Sequence, residues 1–269
     1  MTLSIRKSFA LVCTFCFILA TSMTAQEEKS AASLYNEGLK FLKAKDYEAG
    51  LPLLEAALEK ATADENEKVI GLAKKNGAKA AYNLANSKKK AGELDAAAEL
   101  YQKGIGWAPD YASNYKGMAA VTEAKGDKIE AIKLYIKAGD MTSAKGKEAN
   151  AAKLYKKARN MVGKIYTDKD YENAIVAAKA FMELRDDAEV CYYICRAITE
   201  STATEEAIAH ADKAIELSGE EVPDKYYVAK AKACEKLNKN ADAIAAYKLV
   251  TGEKYKPQAE YKIKELGGK

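Results

Sequence analysis

The chain has 269 residues, of which 30% are charged, and it contains four prolines and one tryptophan. Abundant Ala, Lys, Glu and Leu with so little proline favours helices throughout, so we predict an all-α fold. A length of 269 residues is close to the upper limit for one compact core, which favours two domains or an array of repeats. The 43 basic and 39 acidic residues give a formal net charge of only +4, which argues against nucleic acid as a partner.

Residues 1–25 have the order of regions that is typical of a secretory signal peptide. Arg6 and Lys7 precede an uncharged apolar stretch, and small residues up to Ala25 precede the charged segment QEEKS. The apolar stretch is about a dozen residues long, whereas a membrane-spanning helix needs roughly 20. We therefore predict an exported protein, with the periplasm as its location and no stable membrane insertion after cleavage. An uncleaved N-terminal anchor and full secretion are the alternatives.

The rest of the chain repeats a pattern of small and aromatic residues at helical spacing. In the stretch GELDAAAELYQKGIGWAP, Gly92 is followed by Ala97, Tyr101 and Gly104, and Pro109 ends the pattern. Reading the copies along the chain predicts six helix–turn–helix units, at residues 31–64, 78–111, 112–145, 155–188, 188–221 and 224–257. A capping helix is predicted at residues 257–266.

Two stretches between the units have a helical composition of their own. Residues 65–77 and 143–154 either extend the following first helix backwards or form separate short helices. In the first case, Asp64 and Thr142 or Ser143 are the expected N-caps.

The spacing of the pattern has a packing explanation. Two antiparallel helices approach closely only where each presents a small residue, which is the predicted role of Ala85 and Ala97. Tyr101, one turn further along, is expected to fill the gap towards the next unit. Gly104 allows the next first helix to lie close, and Pro109 ends the second helix. Because one such unit cannot bury its apolar face alone, the units must stack.

These spacings resemble those of the tetratricopeptide repeat, a 34-residue helix–turn–helix module. The best matches are Ala78–Tyr111 and Ala112–Lys145, although the family's tryptophan at the fourth place is absent from every unit and only one unit has the proline. The resemblance implies an α-α superhelix, or solenoid, that binds ligands in a groove lined by the second, fifth, ninth and twelfth places of the first helices. Those places give the predicted groove residues Tyr35, Lys79, Tyr82, Asn86, Lys89, Lys116, Lys156, Arg159, Tyr192, Arg196 and Lys232, together with Glu123, Glu189, Lys225 and Glu235.

Residue types that could carry catalysis or bind a metal are sparse. His210 is the only histidine, has no nucleophile at a recognisable spacing, and is predicted to face solvent. The mature chain retains Cys191, Cys195 and Cys234, an odd number on the packing register, so we predict small core residues rather than disulfides or a zinc site. The glycines lack the lysine and hydroxyl of a phosphate-binding loop. We predict that the chain is not an enzyme and uses no cofactor or metal.

The predicted groove combines basic side chains with aromatic ones, which suits an acidic peptide or a terminal carboxylate. The sequence therefore predicts a protein-binding or scaffolding module of the cell envelope, with a protein or an acidic peptide segment as partner. The alternative is a structural subunit that self-associates through the ends of the solenoid.

Overall fold

The computed structural model describes residues 29–268, so the predicted signal peptide at residues 1–25 lies outside the described residues. The described part of the chain consists of α-helices joined by turns, and it contains no strand. The helices are α1 (Ala31–Lys43), α2 (Tyr47–Ala63), α3 (Glu67–Lys90), α4 (Leu94–Trp107), α5 (Ala112–Ala124), α6 (Lys128–Ser143), α7 (Glu148–Thr167), α8 (Tyr171–Met182), α9 (Ala188–Ser201), α10 (Glu205–Leu217), α11 (Asp224–Lys236), α12 (Asn240–Lys248) and α13 (Lys256–Glu265). The predicted all-α fold is confirmed.

Twelve of these helices form six consecutive pairs, and every pair is joined by the same kind of turn. The odd-numbered helices α1 to α11 are the first helices of the pairs, and the even-numbered helices are the second. In each turn one central residue has a left-handed backbone, with φ between 47° and 95° in the set Lys45, Gly92, Gly126, Lys169, Ala203 and Asn238. This conformation lets the N–H groups after the first helix bond back to its last carbonyls, which ends the helix and reverses the chain.

The packing within and between pairs follows the predicted register. Ala85 and Ala97 are both fully buried where α3 meets α4. A Cβ added at Gly117 of α5 would lie 2.2 Å from the ring of Tyr101, so this tyrosine of α4 fills the space towards the next unit. A Cβ added at Gly104 would meet Asn114 of α5 at 2.3 Å, so Gly104 is where α5 lies close to α4. The roles predicted for these residues are confirmed.

The two long stretches between predicted units extend the following first helix. Helix α3 runs without interruption from Glu67 and α7 from Glu148, so the alternative of separate short helices is wrong. The predicted N-caps are also wrong. Asn66 precedes α3 and accepts a hydrogen bond from the N–H of Val69 at 3.2 Å, because Asp64 instead terminates α2. Helix α7 begins after Lys147, because α6 continues through Ser143.

The pairs stack in sequence order, which makes the described chain a solenoid. First helices pack on the first helices of neighbouring units in two runs, α1–α3–α5 and α7–α9–α11. Between the two runs the pattern changes. Helix α6 packs on α8, whereas the described helices α5 and α7 lack the close contact that joins the other neighbouring first helices. A wedge therefore opens between α5 and α7. No helix in residues 29–268 is long and apolar enough to cross a membrane.

Candidate functional site

Three predicted groove residues each accept a hydrogen bond from the tyrosine of the second helix in the same unit. The pairs are Asn86 with Tyr101 at 2.8 Å, Glu123 with Tyr135 at 3.0 Å, and Glu235 with Tyr247. Burial, assisted by a carboxylate in the last two pairs, raises the pKa of each of these phenols. These groove residues thus help to hold the two helices of a unit together.

The predicted aromatic surfaces in the first two units are largely covered. Tyr35 is only 8% exposed, and its hydroxyl accepts a hydrogen bond from Asn76 at 2.8 Å, so its ring offers no open face. Tyr82 is half-buried between two other rings, at centroid distances of 6.1 Å from Tyr101 and 6.0 Å from Tyr111. Tyr82 and Tyr111 are half-buried and Tyr101 is fully buried, so only part of this ring group is accessible to a ligand.

Five predicted groove lysines have no acidic partner among the described residues. Lys79, Lys116 and Lys156 are exposed, and Lys89 and Lys232 are half-buried. They lie on α3, α5, α7 and α11, so uncompensated positive charge is spread along the first helices.

The structure brings the predicted residues Tyr192, Arg196 and Lys225 together with three tyrosines that were not predicted. We call this group on α7, α9 and α11 the tyrosine–cation cluster, which consists of Tyr166, Tyr192, Tyr193, Arg196, Lys225 and Tyr226. The Arg196 guanidinium lies over the rings of Tyr166 and Tyr192, at 5.6 and 5.8 Å from their centroids, and donates a hydrogen bond to the Tyr192 hydroxyl at 3.1 Å. The Lys225 ammonium lies 5.0 Å from the Tyr192 centroid. Two cations thus share one aromatic ring, an arrangement worth roughly 0.5–2 kcal/mol per contact.

Glu189 on α9 binds the two residues of the cluster that lie on α11. Its carboxylate accepts hydrogen bonds from the Lys225 ammonium at 2.6 and 2.8 Å and from the Tyr226 hydroxyl at 3.0 Å. Burial alone would raise the pKa of Glu189, but the hydrogen bonds and charge of Lys225, together with hydrogen bonds from Tyr226 and Tyr193, outweigh burial and lower that pKa. Burial and the neighbouring Glu189 raise the pKa of Tyr193 to about 12. At neutral pH the cluster therefore holds one half-buried carboxylate and two cations.

Arg159 has a structural partner rather than an open charge. Its guanidinium lies 3.4 Å from the Asp187 carboxylate, which also accepts hydrogen bonds from the N–H groups of Glu189 and Val190 at 3.0 and 3.2 Å. Asp187 is therefore the N-cap of α9, and Arg159 ties α7 to that cap.

A cavity of about 660 Å³ opens in the wedge between α5 and α7, and we call it the lysine cavity. It is lined by Tyr111, Ala112, Ser113, Lys116, Tyr135, Thr142, Lys145, Lys147, Asn150, Lys153, Leu154 and Lys157. Five of these residues are lysines and none is acidic. Of the predicted groove residues, only Lys116 lies here.

Sequence reasoning missed the lysine cavity because one side of its wall lies outside the 34-residue register. Lys147, Asn150 and Lys153 belong to the stretch before the fourth unit, to which the family pattern assigns no place. Lys153 and Lys157 are four residues apart on α7, and this helical spacing was the one available signal.

Cysteine and histidine side chains lie apart from these features. All three described cysteines are free and buried, as predicted for core residues, and burial raises the pKa of Cys191 to about 11. They are therefore unreactive thiols at neutral pH.

His210 is half-buried rather than solvent-facing, and burial lowers its pKa although Glu206 opposes the shift. No group of three or more potential metal ligands occurs in the described part of the chain.

Comparisons with known proteins return repeat proteins of low similarity. No protein-family model and no curated protein matches the sequence. Solved structures similar to this chain include the TPR2AB domain of yeast Sti1 in its pHSP90 complex, with 19% identity, a TM-score of 0.33, and coverage of 88% of this chain and 95% of that one. They also include YrrB, a TPR protein with an unusual peptide-binding site, with 16% identity, a TM-score of 0.34, and coverage of 63% of this chain and 82% of that one. A thermophilic TPR protein of Thermus thermophilus has 16% identity, a TM-score of 0.31, and coverage of 88% of this chain and 98% of that one. Because these identities and TM-scores are low, we infer the repeat architecture from the helix order and packing of this chain alone.

Proposed function

We propose that this chain is a non-catalytic interaction module that is exported to the periplasm and binds an acidic segment of a protein partner along its first helices. The tyrosine–cation cluster carries the proposal. Arg196 and Lys225 are held on the ring of Tyr192, so their positions are fixed before a partner arrives. A carboxylate of the partner would compete with Glu189 for Lys225. It would also compete with Glu200, which lies 3.7 Å from Arg196. A preorganised cation loses less side-chain entropy on binding a carboxylate than a freely moving one does.

The remaining predicted groove cations would extend this surface along the solenoid. Lys79 on α3 and Lys232 on α11 have no acidic partner among residues 29–268. A partner segment with several separated carboxylates would meet these lysines in addition to the cluster. Because such contacts are partly exposed, the binding should weaken as the salt concentration rises.

Capture of a partner from the cell envelope tests this function. The protein would be crosslinked in cells and recovered, and the double variant Lys79→Glu with Lys232→Glu would be treated in parallel. The matched control is Lys74→Glu with Lys248→Glu, which makes the same charge change at two exposed lysines outside the predicted groove places. We expect the groove variant alone to lose the partner, and equal recovery from both variants would refute the groove as the binding surface.

Export is tested independently of binding. We expect the protein from the periplasmic fraction to begin at Gln26, because Ala25 is the predicted last residue of the signal peptide. An intact Met1 on the protein in the membrane fraction would instead support the N-terminal anchor.

Self-association through the ends of the solenoid is the second candidate, favoured by one observation at the C-terminal end. Tyr261 on α13 is 66% exposed and Leu249, just after α12, is 54% exposed. Apolar side chains exposed to this extent can be covered by another copy of the chain. Light scattering should then show a mass that rises with concentration and that falls to the monomer value in Tyr261→Ser.

A further inference from the structure

We propose that the lysine cavity is a further site, in addition to the proposed groove, for the acidic segment of the partner, specifically for a run of neighbouring Asp or Glu residues. This proposal depends on the proposed function for the kind of partner, but it places the partner's carboxylates at a position outside the groove places of the repeat. The position is the wedge between the two runs of first helices.

The charges of the cavity wall are only partly compensated. Lys145 lies 3.4 Å from the Asp110 carboxylate, and Lys157 lies 2.6 Å from that of Glu123. Lys116, Lys147 and Lys153 have no acidic partner in the described part of the chain. Three lysines that line one cavity are therefore without a counter-charge, an arrangement that a bound anion would stabilise.

Neutral hydrogen-bonding groups of the wall are also unused. The side chains of Tyr111, Ser113 and Asn150 line the cavity, and none has a hydrogen-bond partner among residues 29–268. By contrast, the Tyr135 hydroxyl donates to Glu123, and that of Thr142 to a carbonyl of its own helix. The free groups can donate to carboxylate oxygens or to peptide carbonyls, as a bound peptide would require.

The cavity is a consequence of the irregular repeat spacing. The extra residues before the fourth unit lengthen α7 at its N-terminus, and this extension supplies Asn150, Lys153 and Leu154 to the wall. Because α5 and α7 lack the close contact that joins the other neighbouring first helices, the extension forms one side of an open recess. A strictly regular repeat would close this space.

The source of the positive charge favours an acidic peptide over a compact anion. The ammonium groups come from three separate segments, namely α5, the turn between α6 and α7, and α7 itself. Lysine supplies a point charge on a flexible stem, without the planar fork by which arginine holds a single phosphate or carboxylate. Several separate carboxylates fit this distribution better than one phosphate does. The volume, about 660 Å³, is within the usual range of ligand sites, which is about 300–1,000 Å³.

Fluorescence anisotropy with labelled hexaglutamate tests the assignment, with hexaglutamine as the neutral probe and inorganic tripolyphosphate as the phosphate source. The protein would be used as it is isolated from cells. Two variants address the cavity: Lys116→Gln with Lys153→Gln removes charge, and Ser113→Phe fills the space without changing charge. Lys74→Gln with Lys75→Gln is the control of equal charge change on α3, where both lysines are exposed.

We expect the double lysine variant to bind hexaglutamate about tenfold more weakly, since two partly exposed ion pairs contribute about 1.4 kcal/mol together. Ser113→Phe should weaken binding to a similar degree, the control should bind within about twofold of the original, and hexaglutamine should not bind. Unchanged far-UV circular dichroism would show that the variants fold.

Three results would overturn the proposal. If Lys74→Gln with Lys75→Gln weakens hexaglutamate binding as much as the cavity variants do, the peptide is attracted by the overall charge of the protein and not by the cavity. Cavity-dependent binding of tripolyphosphate without binding of hexaglutamate would assign the site to phosphate. Hexaglutamate binding that resists both cavity variants but is lost in Lys79→Glu with Lys232→Glu would reject the cavity and leave the proposed function standing.

Discussion

Replacing Gly117 by alanine should destabilise the protein although alanine favours helices. Gly117 lies inside α5, where alanine is intrinsically preferred over glycine by about 1 kcal/mol. The added Cβ, however, would lie 2.2 Å from one carbon of the Tyr101 ring and 2.4 Å from another. Tyr101 is completely buried, and its hydroxyl is bonded to Asn86 at 2.8 Å, so the ring cannot move away freely.

The magnitude follows from these opposing effects. Overpacking of this kind costs typically about 1–3 kcal/mol, and displacing the ring would also weaken its hydrogen bond, worth about 0.5–1.5 kcal/mol. After subtracting the helix preference, we expect the free energy of unfolding to fall by about 1–3 kcal/mol. Gly71→Ala is the matched control, because a Cβ at this helical position meets nothing within 4 Å. It should raise the free energy of unfolding by about 0.5–1 kcal/mol.

Urea unfolding measures both variants under the same conditions. Far-UV circular dichroism follows all helices, and the fluorescence of Trp107, the single tryptophan, reports on α4, the helix that carries Tyr101. We expect the midpoint to decrease for Gly117→Ala and to increase for Gly71→Ala. If both variants shift the midpoint upwards, the close approach of α4 to α5 inferred from Gly117 is wrong.

Two further predictions concern the N-cap of α9 and the buried tyrosines. Asp187→Ala removes the cap and the partner of Arg159, so urea unfolding should show a loss of about 1–2 kcal/mol, most of which Asp187→Asn should restore; equal losses in the two variants would contradict a capping role. Burial raises the pKa of Tyr101 and Tyr193 to about 12, above the unfolded value of about 10. The two neutral phenols therefore contribute fully to the free energy of unfolding below about pH 10, and this contribution is lost as the pH rises towards 12. The urea midpoint should be level between about pH 7 and 9 and fall above about pH 10, with a smaller fall in Tyr101→Phe, and a midpoint independent of pH would contradict the buried phenols.

Much of the fold was predictable because its signals are local. Small residues such as Ala85 and Ala97 recur at the one spacing that lets paired helices approach, and the sequence alone indicated that Tyr101 would pack towards the next unit. The turns were also identifiable as short polar segments. Their left-handed central residue was less evident, because only two of the six turns place glycine there, at Gly92 and Gly126.

The candidate site was predictable only in part, since side-chain partners depend on residues distant in sequence. The sequence placed Arg159 and Arg196 on the same kind of surface, but the structure pairs Arg159 with the cap of α9 and stacks Arg196 on tyrosine rings. Likewise Tyr35, predicted to stack on a ligand, is covered because α3 extends far enough back to place Asn76 against it.

The sequence by itself determined the helices, their pairing and the order in which the pairs stack, because small and aromatic residues recur at a spacing that permits one kind of close packing. Only the tertiary structure decided how the third and fourth units meet. The extra residues before the fourth unit are equally compatible with a regular first-helix contact and with the observed contact between α6 and α8. The choice rests on how whole helix faces fit together, and it determines whether a lysine-lined cavity exists at all.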